Sequence, residues 1–91
     1  MKAFLISYDV SDNKKRNKIA KILEEYGKRI QYSVFYCQFS KKTLFDILSR
    51  VSKIIDKDND SILAITLPQG WDKYVVGSLK NELPEDKISI L

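Results

Sequence analysis

With 91 residues, 44% of them hydrophobic and 31% charged, the chain has room for one core and too much apolar content to be disordered. Sixteen Lys and Arg against 12 acids leave a net charge of +4, which admits a polyanionic partner without requiring one. A lone Cys and no His exclude an internal disulfide, a protein zinc site and the commonest general base, so any hydrolysis must rest on carboxylates, a hard metal ion or the substrate.

Met1-Lys2-Ala3-Phe4 runs straight into a strand pattern, with no signal-peptide core, and no apolar run approaches the ~20 residues of a membrane span. A cytoplasmic location away from membranes is therefore expected. Ala3 to Val10 is nearly continuous in apolar residues and predicts a central strand covered by helices. Ser11 or Asp12 caps a helix reaching Tyr26, with Gly27 as its stop and Ile19, Ile22, Leu23 and Tyr26 turned to the core. Arg29 to Phe39 is rich in β-branched and aromatic residues and reads as extended. Its alternation changes phase midway, from Ile30, Tyr32 and Val34 to Phe35, Cys37 and Phe39, which marks a bulge or tight hairpin near Tyr32-Ser33.

Ser40 caps a second helix reaching Ile55, with Leu44, Ile47, Leu48, Val51, Ile54 and Ile55 on one side. The polar loop Asp56 to Asp60 leads to a strand over Ser61 to Leu67, broken by Pro68-Gln69-Gly70. Lys73 to Gly77 reads as a short fifth strand, and Ile88 to Leu91 as another beyond Pro84. The order points to an α+β, ferredoxin-like βαββαβ domain over residues 1–91, with an extra C-terminal strand in a tail at 78–91. Such a sheet has one uncovered face. Tyr8, Tyr36 and the apolar strand faces suit a homodimer closed against it, and the tail suits the partner's sheet edge.

Three features bear on chemistry. Asp9 ends the first strand just before a helix start, where a turn residue and a ligand site are both at home; Asp12 is accounted for by capping. Near a two-fold axis Asp9 would meet its own symmetry mate, and facing carboxylates share a proton or bind a cation, of which Mg²⁺ is the natural one. The first helix carries Lys14, Lys15, Arg16 and Lys18 at its start and Glu24 and Glu25 near its end. The helix dipole prefers the reverse by roughly 0.3–1 kcal/mol per exposed charge, so the order reads either as a solvated lysine face or as a phosphate-binding helix start. Lastly, Arg29, Gln31 and Ser33 share one strand face by their period of two, leading to Phe35, which reads as a solvent-facing edge or a strip for a nucleic-acid backbone. Phe4, Phe35, Phe39, Phe45, Trp71 and Tyr74 read as packing residues rather than base-stacking platforms, and Cys37 as a buried strand residue.

Tyr8-Asp9-Val10-Ser11-Asp12, then Lys15-Arg16-Asn17-Lys18, then Tyr26 to Phe35 (YGKRIQYSVF) together resemble the CRISPR-associated endoribonuclease family Cas2, the smaller universal spacer-acquisition protein. The resemblance implies a ferredoxin-like homodimer whose C-terminal strand packs on the partner protomer. It puts Asp9 on the family's metal-binding aspartate, one from each chain. Arg16 and Arg29 fall on positions tied to nucleic-acid contact or activity, and Phe35 on the aromatic that closes the motif. It further implies a Mg²⁺-dependent endonuclease acting on single-stranded RNA or double-stranded DNA, and a central dimer bridging two dimers of the larger CRISPR integrase. Tyr36 stands where many members have Glu, and Lys18 where Arg is frequent, so a two-pronged phosphate grip becomes a point charge. Two rival expectations are a non-catalytic DNA-binding adaptor for the integrase and a toxin-like endoribonuclease of similar fold.

Overall fold

The chain's first strand, β1 (Lys2–Asp9), sits in the middle of its sheet because alternate residues are apolar on both faces. Phe4, Ile6 and Tyr8 are buried under the helices, while Leu5 and Ser7 face the other way. The computed structural model describes residues 1–83 and 89–90. α1 spans Asn13–Glu24, and its N-cap is Asp12, whose Oδ2 accepts from Lys15 N at 2.9 Å. Of the two expected caps, Asp12 is the one used.

The helix stops before Tyr26, and Gly27 does not end it. Gly27 instead opens β2 (Gly27–Gln31), and among the described residues only Gly70 and Gly77 have positive φ. Glycine is needed there for space, since a Cβ would run into the Tyr36 carbonyl oxygen and the Cys37 sulfur.

β2 and β3 (Val34–Phe39) form the expected hairpin around Tyr32-Ser33, and Tyr8 N donates to Ser33 O at 3.1 Å to stitch the turn to β1. Their register shifts between Arg29 and Gln31, so the bulge lies at Ile30. α2 (Lys41–Ser52) is capped by Ser40, whose Oγ accepts from Thr43 N at 3.2 Å. It closes short of Ile55, but Ile54 and Ile55 still bond back to the Val51 carbonyl and pack on the core. β4 spans Ser61–Leu67, as expected.

The sheet is antiparallel throughout, ordered β2-β3-β1-β4, the split βαβ arrangement with both helices over one face. The core joins Phe4, Ile6 and Tyr8 to Phe35, Cys37 and Phe39, under Ile19 and Leu23 of α1 and Ile47 and Val51 of α2. Tyr8 therefore belongs to the helix side, stacked on Phe35 with centroids 6.3 Å apart, and not to the open face where it was expected. The strand's own alternation, Phe4-Ile6-Tyr8, puts it there. Tyr36 does lie on the open side, with Trp71 stacked on it at 6.0 Å and the Lys73 ammonium 4.6 Å over the indole.

β5 is only Tyr74–Val75 and pairs in parallel with β6 (Ser89–Ile90) of the same chain. The described start of the tail is seated on its own protomer, where Lys80 N donates to Ile30 O at 2.9 Å. The expectation of a tail crossing to a partner otherwise falls on residues 84–88 and 91, which lie outside the described residues. No described helix is long and apolar enough to cross a membrane.

Candidate metal and nucleic-acid site

Asp9 is the last residue of β1, opposite Ser61 of β4 and on the same face as Leu5 and Ser7. It is exposed, and among the described residues its carboxylate has neither a hydrogen-bond nor an ion-pair partner. Its backbone, by contrast, leads into a fixed loop. The next residue, Val10, is buried, and Arg16 reaches back from α1 so that one nitrogen, Nη1, donates to Val10 O at 2.9 Å and to Ser11 O at 2.8 Å. Arg16 thus fastens the β1–α1 connection, a part that its position in a lysine-rich run did not disclose. Asp12 is engaged in capping and adds no free carboxylate.

Among the described residues no three His, Cys, Asp or Glu side chains come together as a metal cage. One free, exposed carboxylate per chain fits Mg²⁺ better than Ca²⁺ or Zn²⁺, because Mg²⁺ keeps several waters and takes only one or two protein carboxylates.

The cationic residues divide into free and engaged ones. Lys14 and Lys18 are exposed. Lys15 is half-buried and its charge reaches Asp56, whose carboxyl is held low by the Asn59 side chain, then by the Asp58 N–H, with Lys15 adding to them. Arg29 has its Nη2 3.9 Å from Glu24 Oε1 and its Cζ 5.4 Å over the Phe35 ring. Phe35 is fully buried, so it offers no face to a base; its part is to support Arg29 from beneath.

The expected strip of Arg29, Gln31 and Ser33 is not on one face. Arg29 pairs with Phe35 on the helix side and Gln31 with Val34 on the open side, because the bulge at Ile30 resets the alternation, and Ser33 sits in the turn. What the fold does bring together is Arg16, Arg29, Glu24 and Tyr32 around Tyr8. Burial raises the Tyr8 phenol, Arg29 lowers it, Tyr32 and Glu24 raise it and Arg16 lowers it. Glu24 and Tyr8 were missed as members of this group. The β1 alternation was the signal for Tyr8, and the turn of α1 into β2 is what carries Glu24 to Arg29.

Comparison with known proteins bears on this arrangement. The family model for CRISPR associated protein Cas2 matches residues 1–75. A CRISPR-associated endoribonuclease Cas2 of Synechocystis sp. is 42% identical over 59 residues, 65% of this chain and 64% of the relative, so the chain spans a little under two thirds of that relative's length. The solved structure of a hypothetical protein, TT1823, from Thermus thermophilus superposes with a TM-score of 0.80 at 30% identity, covering 92% of this chain and 98% of that one. A chain in a partial Cas6-RT-Cas1–Cas2 complex superposes with a TM-score of 0.66 at 33% identity, over 76% of this chain and 81% of its own.

Proposed function

Since the chain belongs to the CRISPR-associated Cas2 family, we propose that it is a Mg²⁺-dependent endonuclease of CRISPR adaptation, working as a homodimer that joins Cas1. The observation that carries this reading is the free Asp9 carboxylate at the mouth of the central strand, between an apolar open face and a cationic helix start. The open face supports the dimer. Leu63 and Ile65 are 57% and 50% exposed on it, a surface that a second copy would cover. The free edge of the sheet is β4, whose residues Ser61 to Leu67 carry no charge, and such an edge suits an added strand from the partner's C-terminal region.

In the dimer the two Asp9 carboxylates hold the ion, which when bound supplies an activated water and positive charge against the phosphate. Arg29, only one-third exposed and held by Glu24 and Phe35, presents a fixed fork to a substrate phosphate, and Lys14 and Lys18 draw the polyanion in. Arg16 keeps the loop after Asp9 from drifting. The substrate is single-stranded RNA or double-stranded DNA. In a matched Mg²⁺ assay on both, Asp9→Asn is expected to lower cleavage at least 100-fold while leaving the dimer intact. Unchanged rates would overturn the catalytic reading.

A second reading has its own support at the end of β1, where Asp12 is occupied by capping and no three ligating side chains gather around Asp9 among the described residues. On it the protein is a DNA-binding adaptor for Cas1. Spacer integration that survives Asp9→Asn but fails when Lys14 and Lys18 are neutralised would select it.

A further inference from the structure

The outer edge of β2 is closed by a segment from the far end of the chain. Lys80 N donates to Ile30 O at 2.9 Å, and Asn81 Nδ2 donates to Arg29 O at 2.7 Å across 52 positions of sequence. Successive carbonyls of a regular antiparallel strand point to opposite sides, one into the ladder and one away from it. Two neighbours both taken by the same outer segment therefore require an irregular strand. The irregularity is the bulge between Arg29 and Gln31, where Ile30 has no partner on β3. Bulge and tail segment fix each other.

Arg29 stands at that bulge with three anchors: the Glu24 carboxylate, the Phe35 ring and, through its backbone, Asn81. The Asn81 bond is exposed. If it were lost, water would bond the Arg29 carbonyl in its place, so global stability gains little from it. What water cannot do is hold the carbonyl in one direction, and with it the backbone from which the guanidinium projects.

We propose that Asn81 is a positioning residue for Arg29: closing on its carbonyl, it locks the bulge in the register that aims the guanidinium at a nucleic-acid phosphate. Seating of the 80–81 segment and grip on nucleic acid are then coupled. The proposal rests on the reading of Arg29 as a phosphate contact.

The test is equilibrium binding of the full chain to a single-stranded RNA and a DNA duplex at several salt concentrations. Wild type is compared with Asn81→Ala, Asn81→Gln, Arg29→Ala and the Arg29→Ala/Asn81→Ala pair. Asn81→Ala is expected to weaken binding about threefold to tenfold, the worth of one hydrogen bond, and to flatten the salt dependence as Arg29→Ala does. Asn81→Gln, which keeps an amide donor, recovers most of the affinity, and Asn81→Ala adds nothing once Arg29 is gone. The melting temperature changes by no more than a few degrees. Loss of binding by Asn81→Ala that persists undiminished in the Arg29→Ala background overturns the coupling. So does a lowered melting temperature with unchanged binding, while Arg29→Ala still weakens it. If Arg29→Ala itself leaves affinity and salt dependence untouched, the reading of Arg29 fails and the proposal falls with it.

Discussion

Arg16 lies in a cationic run where a charge count would value it as one more attraction for phosphate. Its Nη1, however, is already bonded to two carbonyls of the loop that follows Asp9. A lysine there keeps the charge, but its side chain ends one atom short of the place that Nη1 holds between the two carbonyls. Arg16→Lys should therefore cost roughly 1–2 kcal/mol of folding stability in urea titrations, by the usual net worth of two hydrogen bonds. The salt dependence of nucleic-acid binding should stay as in wild type. Equal stability together with a flattened salt dependence would show that Arg16 faces phosphate instead. The contrast with Arg29 is instructive: both are held, one by backbone oxygens and the other by an acid and a ring.

At the scale of elements, the two edges of the sheet are treated differently. β2 is protected by Lys28 and Arg29, by its bulge and by the bonds from Lys80 and Asn81. β4 has none of these devices: seven residues, no charge and two half-exposed aliphatic side chains on the open face. A cation placed on that face leaves the monomer's core alone, because Ile65 points away from it. Ile65→Lys is expected to convert the proposed dimer to monomer at micromolar concentration, read by light scattering or sedimentation, with the monomer still folded by circular dichroism. A dimer that persists would place the self-association surface elsewhere.

At the scale of the whole molecule, stability should respond to alkali. Burial pushes the Cys37 thiol up to about 11 and raises the Tyr8 phenol. Both groups hold their protons more tightly folded than unfolded, where values of about 8.5 and 10 apply. Their contribution is thus complete below those values and lost as pH climbs through the folded ones. The urea midpoint should fall steadily above about pH 9, and Cys37→Ala should remove the earlier part of that fall. A midpoint constant up to pH 10.5 would contradict it. The exposed Asp56, held low by Asn59, works in the other sense and loses its small contribution on acidification.

Much of this architecture was legible because the fold repeats simple periods. β4 and both helix caps follow from apolar alternation and short polar side chains. Tyr8 was misplaced against the strand's own alternation, while the other misreadings depend on a partner elsewhere in the chain. Gly27 reads locally as a helix stop, and only the approach of Tyr36 and Cys37 shows why it is glycine. Arg29 and Gln31 look like neighbours on one face until the bulge separates them. Of the candidate site, Asp9 and the basic run could be picked out by eye, whereas the loop clamp by Arg16 and the seat of Arg29 on Glu24 needed the tertiary fold.

The central position of β1 also governs when the domain can form during synthesis. Once it has left the ribosome, β1 pairs with β3 on one side and with β4 on the other, so its second edge waits until Leu67 has emerged. Until then the nascent chain holds a half-paired apolar ribbon, and closing it joins residues 52 to 64 positions apart, a slow step for a small protein. Translation that pauses between α2 and β4 should therefore expose this chain to chaperones more than a pause anywhere later.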